Sequence, residues 1–298
     1  MNDSSLTPLD GVESIRKAFD KAAPRYDEYA VLQRAVADHL LDTLSLFTIS
    51  PDTMVDLGAG TGYCAPYLAK RFPKSKLMLC DISYRMLKEA KKKPERWFKP
   101  RSYICADINR LPFADASVDL LFSSLSFQWC SNLDLLFEEC NRVLSPDGLL
   151  VFSSLGPDTL KELRGAFSSQ GSATFVHDFI DMHDVGDALI RAGFSAPVLE
   201  TERLVMTYPT MKAVMQDLRG IGAVNQSTNR RRGLSTRKLF DAAESAYETH
   251  RHNGELPATY EVVYAHAFSP NRKDPLQDGS QVASFPLDKL SRRSVKQK

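Results

Sequence analysis

The sequence has few cysteines, and their number and spacing favour neither a disulfide framework nor a metal site. Five cysteines occur in 298 residues, and no two of them form a C-x-x-C pair. Disulfide-rich domains and zinc sites usually show an even count or such pairs. We therefore predict no bound metal, and reduced, partly buried thiols as in a cytoplasmic protein. The five are Cys64, Cys80, Cys105, Cys130 and Cys140.

An excess of one charge and long apolar runs are also lacking. The formal net charge is +1, which argues against a general binder of nucleic acid. No apolar run approaches the roughly 18 residues of a membrane span, so we expect no membrane partner. Asp3, Asp10 and Glu13 stand where a transit peptide would avoid acid. The apolar share of 43% is nevertheless ample for a packed core.

Short apolar runs alternate with helical patterns from residue 53 onward. This alternation predicts repeated βα units, and hence a parallel sheet with right-handed crossovers in an α/β fold. The predicted strands are residues 53–57, 76–80, 102–106, 118–124, 149–154, 198–208 and 258–268.

The pattern also divides the chain into five parts. We predict an N-terminal helical arm (1–50), an α/β core (51–208), an inserted helical lid (209–257), the final strand of the core (258–268) and a polar tail (269–298). The composition of the tail is typical of disorder.

A glycine turn follows the first predicted strand. Asp56 precedes Gly58, Gly60 and Gly62, and a helical pattern begins after the turn. Glycines allow positive φ and let a ligand approach without meeting a Cβ. The spacing is G-x-G-x-G, and Tyr63 occupies the place of the third glycine that dinucleotide-binding folds carry.

Further acids end the next two predicted strands. Asp81 is placed to accept the ribose hydroxyls of an adenosine, and Asp107 to accept its amino group while Ile108 packs on the ring. Any one of these acids alone is also consistent with a helix cap. Asp56, Asp81 and Asp107 together, in this order along the chain, favour an adenosine ligand without phosphates.

This constellation resembles the class I S-adenosyl-L-methionine-dependent methyltransferases over about residues 55–154. The resemblance implies a Rossmann-like seven-stranded sheet whose last two strands form an antiparallel edge, with a helical lid inserted between them. It implies S-adenosyl-L-methionine as cofactor and S-adenosyl-L-homocysteine as product. The implied cofactor-binding residues are Asp56, Gly58, Gly60, Gly62, Asp81, Ile82, Asp107, Ile108 and Ser124, with Tyr26 and Gln33 if the N-terminal arm folds over the ligand rather than simply packing.

Six further blocks resemble the malonyl-acyl-carrier-protein O-methyltransferases of early biotin synthesis. The resemblance implies methyl transfer to the free carboxylate of a malonyl thioester, carried by the phosphopantetheine of an acidic acyl carrier protein. Such a carboxylate is already ionised at neutral pH, so no catalytic general base is expected. The blocks are residues 123–130, 156–164, 179–189, 217–223, 230–234 and 256–264.

Substrate-binding residues are predicted in two places. Arg219, in the inserted segment, suits a carboxylate because its planar fork binds both oxygens, unless it is a solvated surface residue. Ser126, Gln128 and Trp129 are predicted to wall the transfer pocket, although Trp129 also fits an ordinary core position.

The basic run Arg230, Arg231 and Arg232 is a candidate docking site for the carrier protein, or else a solvated face.

Three alternatives to the main function remain: a small-molecule methyltransferase, a protein arginine hydroxylase of the mitochondrial assembly-factor type, and a module that binds the cofactor without chemistry.

Overall fold

The computed structural model describes residues 8–93, 101–169, 176–223 and 237–271. These residues form ten α-helices: α1 (Pro8–Ala22), α2 (Tyr26–Tyr29), α3 (Val31–Leu44), α4 (Ala65–Arg71), α5 (Tyr84–Lys92), α6 (Leu133–Val143), α7 (Lys161–Ser168), α8 (Met182–Arg191), α9 (Met211–Gly220) and α10 (Arg237–Glu248). Seven strands accompany them: β1 (Thr53–Leu57), β2 (Lys76–Asp81), β3 (Ser102–Cys105), β4 (Val118–Ser124), β5 (Leu144–Leu155), β6 (Ser195–Tyr208) and β7 (Leu256–Phe268).

The strands form one sheet in the order β3-β2-β1-β4-β5-β7-β6. β1 pairs in parallel with β2 and β4, and the parallel pairing continues to β3 on one side and β5 on the other. β7 runs antiparallel to β5, because the hydrogen bonds Ser269 N to Gly148 O and Gly156 N to Glu261 O match rising with falling residue numbers. The predicted seven-stranded α/β sheet is confirmed.

Side-chain caps begin several of the helices that follow the strands. The hydroxyl of Ser83 accepts from Met86 N at 3.1 Å at the start of α5, and Asn132 does the same for Leu135 N at the start of α6. Thr210 caps α9 in the same way. Each cap satisfies one of the donors that a helix start leaves open.

The chain divides into two compact units. The first unit contains residues 8–30, 155–181 and 201–263, and the second contains residues 31–154, 182–200 and 264–271, as far as these are described. The strands β6 and β7 contribute residues to both units. The core of the second unit includes an aromatic cluster in which the Phe127 and Phe152 rings lie 4.8 Å apart and the Phe137 and Phe152 rings 5.5 Å.

Two inserted helices, α9 and α10, lie between β6 and β7 in the chain. Within the first unit, a Cβ added at Gly220 would overlap the ring of Tyr29, and one at Gly222 would lie 3.1 Å from the Cβ of Ala22. The end of α9 therefore packs directly on the N-terminal helices of its unit. The role of the inserted helices as a lid stays a prediction, and most of the predicted tail lies outside the described residues.

Candidate functional site

The glycine turn after β1 adopts the backbone that its sequence predicts. Gly58, Gly60 and Gly62 have φ values of 67°, 53° and 74°, in the left-handed region where a side chain would cost strain. A Cβ at Gly58 would overlap the hydroxyl of Ser126, whereas a Cβ at Gly60 would meet nothing within 4 Å. The turn is thus packed at Gly58 and open at Gly60, where a ligand can approach the backbone.

In dinucleotide-binding folds, a glycine at the position of Tyr63 lets the helix pack closely on its strand. In this protein Gly62 allows the close packing. A Cβ there would lie 3.0 Å from the Cβ of Ala90 and 3.1 Å from Leu79 Cδ2. The turn therefore lies tight against β2 and α5. Tyr63 instead points its hydroxyl to Asp38 of α3, at 2.9 Å.

Asp81, at the end of β2, binds the glycine turn directly. Its Oδ2 accepts from Gly60 N at 2.8 Å, and its Oδ1 accepts from Ser83 N at 2.7 Å. A carboxylate has about four acceptor positions, so its predicted contact with ribose hydroxyls is compatible with these bonds. Asp81 thus lies beside the open glycine of the turn, and its contact with a ligand stays a prediction.

Asp56 is a buried acid with an unsatisfied oxygen. The residue is 2% exposed, and its Oδ2 has no hydrogen-bond partner among the described residues. Burial, with a smaller contribution from the Asp81 charge, raises the pKa of Asp56 to about 7. A cation or hydrogen-bond donor placed beside Oδ2 would restore the ionised form.

Asp107 and Ile108 follow β3 at the same edge of the sheet and are half-buried. Asp107 Oδ1 accepts from both the backbone and the side-chain nitrogen of Asn109, each at 2.9 Å. Ile82 follows β2, and its carbonyl accepts from the Cys105 thiol at 3.5 Å. Asp81 and Cys105 are partners in the β2–β3 register, so these predicted residues lie on adjacent strand ends.

A 3₁₀ turn after β4, Phe127–Trp129, carries the residues predicted to wall the pocket. Ser126 Oγ lies 3.4 Å from the carbonyls of both Leu57 and Gly58, which brings this turn onto the glycine turn. Gln128 is 9% exposed and donates to Leu125 O at 2.8 Å, leaving its buried Oε1 without a partner in the described chain. Trp129 and Ser124 are half-buried.

The N-terminal candidates fall in different units. Tyr26 begins α2 in the first unit and is half-buried. Gln33 belongs to α3 in the second unit, and its buried Oε1 has no partner among the described residues. Their contact with a ligand stays a prediction.

Arg219 lies in the last turn of α9, in the first unit, and its side chain is exposed. This side chain makes no hydrogen bond or ion pair with any described residue. Nearby Asp217 accepts from the Tyr208 hydroxyl at 2.6 Å, which anchors the helix turn that precedes Arg219. The arginines at 230, 231 and 232 lie outside the described residues.

Two sequence blocks that are distant in the chain form one buried polar cluster, which the sequence did not predict. In the first unit, Glu162 accepts from the backbone nitrogen of Thr259 at 3.2 Å and from its hydroxyl. Asp158 N donates to Glu261 Oε2 at 2.8 Å, and Thr159 exchanges hydrogen bonds with the backbone of Glu261. This cluster joins the loop before α7 to β7.

The described part of the chain contains no group of three or more histidine, cysteine or acidic residues that could hold a metal ion. All five cysteines are free, and Cys105 alone among them is exposed. Burial raises the pKa of Cys80 and of Cys130 to about 12, so these thiols stay protonated at neutral pH. Among the described helices, none is both long enough and apolar enough to cross a membrane.

The strand order and the acid-flanked glycine turn are those of a class I methyltransferase. A family described as "Methyltransferase domain" matches residues 55–152, from β1 to β5. A Bacillus halodurans putative methyltransferase has a solved structure with the same fold, at a TM-score of 0.57 and 16% sequence identity, covering 77% of this chain and 97% of that one.

Relatives with higher sequence identity show which family within this class the chain belongs to. A malonyl-[acyl-carrier protein] O-methyltransferase of Methylovorus sp. is 46% identical over 91% of this chain and 93% of its own length. The protein of that name from Laribacter hongkongensis is also 46% identical, over 91% and 94% of the two chains. The chain therefore belongs to the malonyl-[acyl-carrier protein] O-methyltransferase family.

Proposed function

We propose that the protein transfers a methyl group from S-adenosyl-L-methionine to the free carboxylate of a malonyl thioester on an acyl carrier protein. The observation that carries the proposal is the 46% identity with a malonyl-[acyl-carrier protein] O-methyltransferase over nearly the whole of both chains. The product is the malonyl methyl ester, in which a methyl ester replaces the free carboxylate of the substrate. We place this reaction in the cytoplasm, where reduced cysteines are expected.

The second unit offers groups that fit the cofactor. Gly60 leaves backbone open to a ligand, Asp81 lies beside it, and the buried Oδ2 of Asp56 lacks a partner in the described chain. An unpaired buried carboxylate oxygen suits a ligand that carries positive charge. When bound, S-adenosyl-L-methionine supplies an electrophilic methyl group on a sulfonium and an ammonium group.

The remaining chemistry requires orientation rather than proton transfer. The malonyl carboxylate, with a reference pKa near ~4, is ionised at neutral pH and needs no base to act as the nucleophile. Its oxygen would accept the methyl group that the cofactor supplies, so the task of this chain's residues is to hold that oxygen in position. Holding that oxygen in line contributes up to roughly 7 to 11 kcal/mol in favourable cases. Ser126, Gln128 and Trp129, on the turn beside Gly58, are the proposed pocket wall.

Arg219 is our candidate for binding the malonyl carboxylate. Its exposed guanidinium has no partner among the described residues, and Tyr208 and the Tyr29 ring fix the helix end that carries it.

The run 230–232 is proposed to contact the carrier protein. Weakening of the reaction by salt would support that role, and unchanged dependence on carrier-protein concentration after Arg-to-Ala replacement would contradict it.

The reaction is tested with labelled S-adenosyl-L-methionine and either malonyl or acetyl carrier protein. Label in a base-labile ester on the malonyl form alone supports the proposal, because only that form has a free carboxylate. Label on neither form overturns it. A protein arginine that gains an oxygen atom but no label, detected by mass spectrometry, would favour the arginine hydroxylase alternative.

Replacement of Arg219 tests its proposed role. Arg219→Ala should lower kcat/KM for malonyl carrier protein roughly 10- to 100-fold, the value of a hydrogen bond to a charged group. Lys212→Ala, an exposed basic residue on the same helix, is the matched control and should change kcat/KM less than about twofold. If the two variants had equal kcat/KM values, Arg219 would not be the residue that binds the malonyl carboxylate.

A further inference from the structure

Positive charge is concentrated in one segment of the second unit. Residues 63–93 contain nine basic and two acidic residues, although the whole chain carries a net charge of only +1. One of the two acids, Asp81, is buried and bound to the glycine turn, and the other, Glu89, pairs with Lys92 at 2.7 Å. The exposed surface of this segment is therefore strongly positive.

The helices of this segment lie on the same side of the sheet. The crossovers from β1 through α4 to β2 and from β2 through α5 to β3 progress in the same direction along the sheet. Because parallel crossovers are right-handed, both helices pack on one face. The crossover from β4 through α6 to β5 runs in the opposite direction, so α6 covers the other face.

Exposed basic and aromatic side chains lie on both α4 and α5. We define the basic face as Tyr67 and Lys70 of α4 with Tyr84, Arg85, Lys88 and Lys91 of α5, all of them exposed. Positions 84, 88 and 91 follow each other at helical spacing, and the Lys88 ammonium lies 4.8 Å from the centre of the Tyr84 ring. This contact fixes a cation and an aromatic ring together on the surface.

Tyrosines make this face unlike an ordinary solvated lysine surface. Tyr67 and Tyr84 are 49% and 58% exposed, and they rank among the few large apolar side chains that the described surface exposes. Tyrosine and arginine are enriched in protein interfaces, whereas solvated helix faces favour lysine and glutamate. The face therefore combines electrostatic attraction with apolar contact area.

The face also begins at the functional edge of the sheet. Helix α4 begins after the glycine turn, and α5 begins after Asp81, so Tyr67, Tyr84 and Arg85 lie in first turns beside the carboxyl ends of β1 and β2. In parallel sheets this edge holds the ligand. A partner bound to this face therefore lies next to the predicted site of methyl transfer.

We propose that the basic face docks an acidic surface of the carrier protein, an inference that rests on the proposed function. The charge of the whole chain disfavours nucleic acid as the partner, because the sequence pI of about 7.6 is well below the values above 9 that are typical of nucleic-acid-binding domains. Charge complementarity of this kind raises the association rate and is screened by salt.

The test uses charge reversal in the full-length protein. Lys88→Glu/Lys91→Glu reverses two charges of the face, and Lys17→Glu/Lys21→Glu on α1 is the control with an identical change of net charge. Two quantities are compared: the Kd of holo carrier protein from fluorescence anisotropy, and kcat/KM for malonyl carrier protein and for malonyl-pantetheine. Thermal unfolding checks that both variants stay folded.

At low salt we expect the face variant to weaken carrier-protein binding at least tenfold and to lower kcat/KM for the carrier protein equally. Turnover of malonyl-pantetheine and all properties of the control should change less than twofold. Equal Kd values for the face variant and the control overturn the docking face. A wild-type protein that binds the carrier protein but methylates no malonyl thioester refutes the proposed function and leaves the docking result standing.

Discussion

Two buried acids, one in each unit, differ in how their oxygens are satisfied. Glu162 of the first unit accepts hydrogen bonds from the backbone and hydroxyl of Thr259. Asp56 of the second unit is still more deeply buried, yet its Oδ2 has no partner among the described residues. An ionised carboxylate is costly to bury unless donors or cations surround it.

We propose that this difference separates a structural acid, Glu162, from a ligand-binding acid, Asp56. The bonds of Glu162 connect α7 to β7, so its partners come from the chain itself. Asp56 stands before the glycine turn, and burial, with a smaller contribution from the Asp81 charge, raises its pKa to about 7. Because the described residues offer no partner to Asp56 Oδ2, Asp56 is our candidate for the contact with a cationic ligand.

Glu162→Ala should have the largest effect of the changes that test this comparison. It leaves the Thr259 N–H buried without an acceptor, so the free energy of unfolding should fall by about 3 kcal/mol. S-adenosyl-L-methionine affinity, measured by calorimetry, should change less than about twofold after correction for folded fraction. Glu138→Ala, on the exposed side of α6, is the control. A loss of affinity without loss of stability would contradict the structural role.

Asp56→Asn should lower the affinity for S-adenosyl-L-methionine rather than the stability of the fold. Without the carboxylate, S-adenosyl-L-methionine affinity should fall roughly 10- to 100-fold, as expected for a lost charge-assisted hydrogen bond. The raised pKa of Asp56 means that its contribution to stability is fully present below about pH 4 and is lost as the pH rises through about 7. The ligand-free variant should therefore be more stable than the wild type at pH 8.

The pH dependence of binding sharpens this prediction. Because a cationic ligand favours the ionised form, wild-type affinity should weaken as the pH falls below about 7, and binding near pH 7 should release protons. The Asn variant should show neither effect. Calorimetry in buffers of different ionisation enthalpy measures the released protons, and a wild type without release would place no cation beside Asp56.

Gln128→Met should have the smallest effect. The change loses the hydrogen bond to Leu125 O but also removes the buried, unpartnered Oε1. These contributions oppose each other, so the free energy of unfolding should change by less than about 1 kcal/mol. The KM for the malonyl thioester should nevertheless rise if Gln128 walls the pocket. Denaturant unfolding and steady-state kinetics separate the two roles, and an unchanged KM would assign Gln128 to packing alone.

Most of the sheet could be predicted from the sequence because its strands are short apolar runs bounded by polar turns. The predicted bounds of β1 and β4 agree with the structure at both ends. β5 begins at Leu144, five residues before the prediction, because Pro146 and Asp147 interrupt the apolar run. Asp147 has a φ of 60°, so the strand continues through an irregularity that a pattern of apolar residues does not reveal.

The candidate site was predictable only to the level of residue position. Strand order places Asp56, Asp81 and Asp107 at one edge, since parallel strands end together. The contact of Ser126 with Gly58 and the bond of Asp81 to Gly60 depend on side-chain geometry across 68 and 21 residues of chain. The partners of Glu162 lie 97 residues away, and no local periodicity encodes such a pairing.

The packing of Tyr29 on Gly220 has a consequence for synthesis of the chain. The ring leaves the ribosome 191 residues before the glycine against which it packs. At 5–20 residues per second, the interval is roughly 10 to 40 s. During that time the N-terminal helices have no access to their permanent partner. A temporary cover, such as a chaperone, would shield their apolar sides until α9 has been made.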